Sequence, residues 1–401
     1  MAKRSSSGDS SQQRNLIGGV LAAIVLVIAF IISQVTGIDI LGIQPTQPPT
    51  AIPIPTILTT PGAVTPITLQ QGFGAQKGFW QVYFTAPTGS RDARTYVGGI
   101  DTVLANEINN VQRTLDIVAY EFNLASLTQA VLNAHQRGVR VRVVTDNEDG
   151  LGDDETTLNQ FVNAGIPVVT DTRSALMHNK FMILDGTTVW TGSWNFTVND
   201  TYRNNNNALA IRSRQIVQNY QTEFDEMFTQ RQFGPTSPRN TPNPVFSQDG
   251  IPIGVYFAPE DAVIPAMNDV LSRAQRSIRF MTFSFTVDAI GDVIATRATG
   301  GVSVQGIFET TGSETQFSEM RRLFCAGLPV RQDGNPFILH HKVFIVDDVT
   351  VITGSFNISE NATNSNDENL VIISDPDLAA QYTAEFNRRW AEAAAPNISC
   401  S

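Results

Sequence analysis

Histidine and cysteine are both scarce in this chain of 401 residues, four of the first and two of the second. Neither Cys325 nor Cys400 has a companion at metal-ligand spacing, and no run of carboxylates suggests an ion, so no cofactor or metal is expected. The two thiols are compatible with a disulfide in an outward-facing chain, and equally with a buried Cys325 and a free Cys400; the sequence leaves both open. Charge is also sparse. Only 16% of residues are charged and the net charge is −11, which argues against the basic surface that non-specific nucleic-acid binding requires. A hydrophobic content of 42% excludes a disordered chain, and the length allows one large core or two medium ones.

A long apolar stretch without charge lies near the N-terminus. Residues 15–38 carry none, and their centre reads LIGGVLAAIVLVIAFII. About 20 apolar residues at about 1.5 Å each cross a hydrocarbon core, so a transmembrane anchor is expected at 15–38. Lys3, Arg4 and Arg14 precede it, which predicts a cytoplasmic tail at 1–14 and the rest of the chain outside the cytoplasm. A cleaved signal peptide is the rival reading, disfavoured by the length of the run. Residues 39–78 include QPTQPPTAIPIPTILTTPGAVTPITL, whose seven prolines predict an extended stalk.

The remainder repeats itself. VYFTAP at Val82 recurs as VYFAPE at Val255, and LDIVAYEF recurs as IRFMTFSF. Each copy ends on a helical aromatic stripe, Tyr220, Phe224 and Phe228, then Tyr382, Phe386 and Trp390, which at that spacing is core. The order strand, amphipathic helix, strand, with Gly138 closing the helix, is a βαβ signal. It predicts two pseudo-symmetric α/β sandwich domains, at 79–230 and 251–396, with a connector at 231–250 and a short tail at 397–401.

Within each copy one segment is polar in a fixed pattern. HNKFMILDGTTVWTGSWN begins at His178 and HHKVFIVDDVTVITGSFN at His340, an offset of 162 residues (340 − 178). His178 and Lys180 alternate onto one face of an extended segment, as do His340 and Lys342, and an imidazole beside an ammonium suits an anion, most simply a phosphate. The turns carrying Gly192, Ser193 and Asn195, and Gly354, Ser355 and Asn357, can return hydroxyl and amide donors to the same point. Phosphodiester exchange needs a nucleophile at phosphorus and an acid at the leaving oxygen. One copy has one histidine. Two copies facing each other supply both, together with lysines and asparagines for the phosphoryl oxygens.

The pattern HxKxxxxDxxxxxxGSxN, present twice, resembles the phospholipase D superfamily. The resemblance spans nearly all of the chain after Val82. It implies a metal-independent phosphodiesterase with its active site at the interface of two domains, working through a phosphohistidine, with His178 as nucleophile and His340 as acid. Asp185 and Asp347 belong to the signature, yet the alternation turns them away from the histidines, so they are expected to bond backbone or a neighbouring strand. In the small nucleases of this superfamily a Glu after the GSxN turn orients an imidazole. Here the second copy keeps it as Glu368 and the first has Asn206. If the contact crosses the interface, as the resemblance implies, Glu368 serves His178 and Asn206 serves His340. A carboxylate favours a charged imidazole and an amide does not, so His340 is expected to titrate lower.

His341 points away from His340 along the strand and is assigned to packing or to support of the site, His135 to solvent, and Trp194 and Phe356 to core ahead of a pocket wall. Acidic loops follow the second strand of each copy, DNEDGLGDDE from Asp146 and ETTGSETQFSE from Glu309; they rim the crevice and favour a cationic head group, or stand solvated away from it. The segment TGSRDARTYVGG makes the first copy longer, as a lid or only a longer loop. Anchor, stalk and acidic balance together favour a phospholipid substrate, hydrolysed or transphosphatidylated at the membrane. An extracellular membrane-anchored endonuclease is the alternative, with nucleic acid as the less favoured partner.

Overall fold

A computed structural model describes residues 62–400. The expected tail at 1–14, the anchor at 15–38 and most of the stalk lie outside the described residues. Among the described residues no helix is long and apolar enough to cross a membrane. Both copies of the repeat fall within one compact unit.

The first sheet has nine strands: β1 (Thr65–Ile67), β2 (Phe73–Lys77), β3 (Trp80–Phe84), β4 (Thr114–Ala119), β5 (Arg140–Thr145), β6 (Val168–Thr170), β7 (Phe181–Leu184), β8 (Thr188–Gly192) and β9 (Asn207–Ile211). Their spatial order is β1-β2-β3-β9-β8-β7-β4-β5-β6. The second sheet holds β10 (Val245–Gln248), β11 (Ile251–Ala258), β12 (Ser277–Thr282), β13 (Ser303–Phe308), β14 (Val330–Gln332), β15 (Lys342–Val346), β16 (Thr350–Gly354) and β17 (Glu368–Ser374). It is ordered β10-β11-β17-β16-β15-β12-β13-β14. Seven strands of each sheet therefore share one topology. The strands β4, β5 and β6 run parallel, as do β12, β13 and β14, while the motif strands pair antiparallel.

Two sequence boundaries are corrected here. Thr65–Ile67 and Phe73–Lys77, assigned to the stalk, form an edge hairpin of the first sheet, in which β2 pairs with β3 and β1 with β2. Val245–Gln248, assigned to the connector, pairs antiparallel with β11.

The central strands β7, β8, β9, β16 and β17 are buried at every position, as expected of strands covered on both faces. One core layer lies beneath the outer helices of each half. A third joins the halves through Tyr220, Phe224, Tyr382 and Phe386, the aromatic stripes of Arg214–Asp225 and Pro376–Glu392. Phe228 and Trp390 are only partly buried at its edge. Asp375 caps the second of these helices, whose first residue is Pro376, a position where a missing N–H costs nothing. Cys325 and Cys400 are joined by a disulfide, which fastens the C-terminal tail to the helix Glu319–Cys325.

Candidate functional site

The hairpin of each motif is set by its aspartate. Asp185 and Gly186 both have positive φ, 50° and 63°, and Thr187 N donates to Leu184 O, the two-residue turn that suits strand twist. Asp347 and Asp348 repeat it at 56° and 55°. The Asp185 carboxylate accepts from the backbone of Gln112, Arg113 and Thr114. That of Asp347 accepts from Gln275, Arg276 and Ser277. Each motif aspartate thus ties its hairpin to the neighbouring strand, the structural role expected of it.

At the other end of the hairpin stand Gly192 and Gly354, with φ of 142° and 153°. A Cβ there would lie 2.4 Å from Asn207 O and 2.2 Å from Asn369 O. Only glycine lets the chain turn this closely over its neighbour.

His178 and His340 occupy the extended run-in just before β7 and β15, and each run-in is held by the opposite half. His178 N donates to Asp367 O, and Asp367 N to Leu176 O; His340 N donates to Asn205 O, and Asn205 N to Ile338 O. The residue after each of these partners carries the crossing contact. Glu368 lies 2.8 Å from His178 Nδ1 through both carboxylate oxygens. Asn206 Oδ1 lies 3.0 Å from His340 Nδ1. Ser355 Oγ donates to Glu368 at 2.6 Å, and Ser193 Oγ to Asn206 at 2.8 Å. The serines therefore fix the groups that fix the histidines, rather than standing free as donors.

The lysines complete the centre. Lys180 Nζ donates to His178 O at 2.8 Å and Lys342 Nζ to His340 O at 3.0 Å. Each ammonium also lies over an aromatic ring, Tyr120 at 4.8 Å and Phe283 at 4.9 Å. The same rings meet the histidines edge-on, at 4.9 Å and 5.0 Å. Asn195 and Asn357 each keep a buried side-chain oxygen without a protein partner. The expected residues are thus brought together at one place, formed from both halves.

Burial governs the titration here. It lowers Lys180 to about 8, although Glu368 and Glu121 oppose it. Burial and the facing Lys180 lower Lys342 to about 7. Burial, with both ammonium groups, pushes His178 well below its ordinary value. His340 falls to about 4 by burial and Lys342. Burial raises Glu368 to about 8. The expectation that His340 titrates lower is therefore not met: both imidazoles are pushed down, His178 strongly. Two buried ammonium groups beside two neutral imidazoles leave a centre that calls for an anion.

One reason was invisible in the repeat. Asp200, buried, lies 3.3 Å from His340 Nδ1 and also accepts from Asn195 N at 2.9 Å. Burial works against its charge, but His340 and its hydrogen bonds hold the carboxyl well below its ordinary range. The equivalent position in the second copy is Ala362, so alignment of the copies cannot find it. Glu121 is a second addition, 3.4 Å from Asn195 Nδ2 and raised to about 7 by burial and Asp200. A third was legible in part. The first acid of each acidic loop turns inward, Asp146 accepting from Met177 N at 3.0 Å and Glu309 from Leu339 N at 2.6 Å. These carboxylates hold the two run-ins.

His341 is buried, as assigned, between Asn207 and Glu385. Trp194 and Phe356 are core. His135 is half-buried rather than solvent-facing, at the last turn of the helix Ala125–Gln136. The extra segment before the first motif packs down: Tyr96 stacks on Tyr202, and Arg91 lies over Phe337 of the second half.

Comparison with known proteins yields the same division. The family described as "Cardiolipin synthase, PLD-like domain" matches residues 104–228 and again 267–390. A mitochondrial cardiolipin hydrolase of Xenopus tropicalis is 42% identical over 126 residues, 31% of this chain and 59% of that one. A phospholipase D of Rickettsia felis is 34% identical over 122 residues, 30% of this chain and 60% of that one. The chain thus spans about 60% of the length of these curated relatives. Among solved structures, phosphatidylserine synthase of Haemophilus influenzae superposes with a TM-score of 0.59 at 18% identity, over 74% of this chain and 86% of that one. It shows the likeness of fold.

Proposed function

Because the chain belongs to the family of phospholipase D-like domains, matched in both halves, we propose that it is a phosphodiesterase acting on phospholipids through a phosphohistidine. The observation that carries this reading is the crossed contact, in which each half holds the Nδ1 of the other half's histidine and leaves Nε2 for the substrate. Neutral His178 attacks phosphorus with Nε2, forming a P–N bond. The bond to the head-group oxygen breaks as His340 gives that oxygen a proton. His340 then takes a proton from water, the resulting hydroxide attacks phosphorus, and the P–N bond breaks to release phosphatidate. An alcohol in place of water gives transphosphatidylation. Lys180, Lys342, Asn195 and Asn357 hold the phosphoryl oxygens, where charge grows in the transition state.

In the free protein His340 is neutral near pH 7, and an arriving diester anion supplies the negative charge that raises it into a proton donor. Asp200 and Asn206 orient it, as Glu368 orients His178. The names of the relatives, a cardiolipin hydrolase and a phospholipase D, support a phospholipid substrate. The uncharged run at 15–38 supports a membrane anchor with the catalytic part outside the cytoplasm, which resistance of the full chain to carbonate extraction and its exposure to added protease would test.

The substrate is tested by offering the full chain phosphatidylcholine vesicles, cardiolipin vesicles and single-stranded DNA in parallel, with His178→Ala as the blank. Release of choline or phosphatidate with intact DNA is the expected result. Cleaved DNA with intact lipid overturns the lipid reading in favour of a nuclease.

A further inference from the structure

The motif helices carry a second pair of equivalent carboxylates, Glu223 and Glu385, both buried. In the second half Glu385 is surrounded by two arginines and a histidine. Arg388 Nε donates to it at 2.9 Å, Arg389 Nε lies at 3.2 Å and His341 Nε2 at 3.3 Å. In the first half these three positions are Glu226, Met227 and Asn179. Glu223 accepts from Asn179 Nδ2 at 3.1 Å, and beyond that it faces carboxylates. One oxygen each of Glu223, Glu226 and Glu260 lie within 4.8 Å of one another.

None of the ion pairs among the described residues reaches these three groups. Two oxygens, Glu226 Oε2 and Glu260 Oε2, are buried without a hydrogen-bond partner, and Glu226 is 1% exposed. Three such carboxylates gathered away from water need positive charge, whether protons or a metal ion.

We propose that Glu223, Glu226 and Glu260 bind one hard divalent cation, calcium by size, which takes the place that Arg388 and Arg389 fill in the second half. An all-oxygen donor set suits calcium or magnesium rather than a softer metal. Oxygens up to 4.8 Å apart can share an ion with bonds of roughly 2.4 Å, the calcium distance and longer than the magnesium one. The site lies apart from the phosphate-binding centre and contributes no reacting group. It reaches the centre through Asn179, the residue after His178, whose Nδ2 donates to Glu223 and whose Oδ1 accepts from Asn369 at 2.8 Å. The bound ion would stiffen the junction of the halves. This proposal does not depend on which diester is cleaved.

The test uses the full chain, stripped with chelator and titrated with calcium chloride, then with magnesium chloride, by calorimetry and thermal melting. One calcium per chain is expected, raising the melting temperature by roughly 3 °C or more at saturation, with magnesium weaker. Glu226→Gln and Glu260→Gln should each weaken binding at least about tenfold, while His178→Ala should leave it unchanged. Glu226→Arg imports the residue of the second half; it should melt without calcium where the wild type melts with it, and ignore added ion. No heat and no melting shift with either salt overturns the proposal, leaving protons to hold the carboxylates. Undiminished binding in both glutamine variants overturns it as well, by placing the ion elsewhere.

Discussion

The two halves share seven strands in one order, and the same residues hold the same turns in both. Asp185 and Asp347 capture three backbone amides each, and Gly192 and Gly354 pass within contact of the next strand. What differs is charge. The second half sends a carboxylate, Glu368, across to His178, whereas the first sends an amide, Asn206, and adds Asp200 from six residues earlier. Around the motif helices the second half sets arginines on Glu385, and the first sets Glu226 and Glu260 beside Glu223. Positions that grip backbone tolerate no exchange, because the geometry leaves them one solution. Positions that supply charge can trade places, since a carboxylate reaches an imidazole from more than one Cα.

The largest effect should separate the two histidines. His178→Ala should lose about 10⁴-fold or more in kcat on any diester, because no nucleophile remains. His340→Ala should lose a similar factor on a natural lipid but recover most of it on a p-nitrophenyl diester, whose leaving group needs no proton. Equal losses on both substrates would erase the division of roles.

Next come the glycines. Gly192→Ala and Gly354→Ala should each cost about 2–4 kcal/mol of stability in denaturant melts, through strain at positive φ and collision with backbone. The two costs should match, and a tolerated alanine in one half would show that the halves are not equally constrained.

The crossed contacts should then give unequal losses. Glu368→Gln should lower kcat and the trapped phosphohistidine about 100-fold, Asp200→Asn roughly 30-fold and Asn206→Ala roughly 10-fold, since Asp200 still faces His340 in the last variant. Asp200→Asn should also shift the acid-dependent step in the pH profile, which loss of packing alone would not move. Equal losses at Glu368 and Asn206 would remove the asymmetry.

The smallest effect concerns pH. Lys342 titrates at about 7 and Lys180 at about 8 in the free protein. Raising the pH through this range removes the positive charge that receives the diester, so kcat/KM should fall about tenfold per unit above it. The kcat profile should bend at higher pH, because bound phosphate stabilises both ammonium groups. A kcat/KM that stays flat to pH 9 would show that neither ammonium is lost there.

Much of the fold was legible in order. The repeat, the motif hairpins, the core stripes and the pairing of Glu368 with His178 and Asn206 with His340 all followed from residues at fixed spacing or from the family resemblance. The edge hairpin at 65–77 was hidden by the prolines and threonines that precede it, which read as a stalk until β3 is there to pair with β2. Asp200 was hidden for another reason: the copy without a glutamate looks deficient until the helix Val198–Tyr202 is folded beneath His340. The inward turn of Asp146 and Glu309 was likewise masked by the acidic residues that follow them.

The linear order of residues by itself determined which groups exist in duplicate, and hence that two imidazoles and two ammonium groups had to meet. Only the tertiary structure decided which carboxylates join them and which gather elsewhere. Periodicity and spacing record contacts along one strand or helix, where geometry is fixed by the backbone. Charges brought together from separate elements depend on distance through space, which spacing along the chain does not encode.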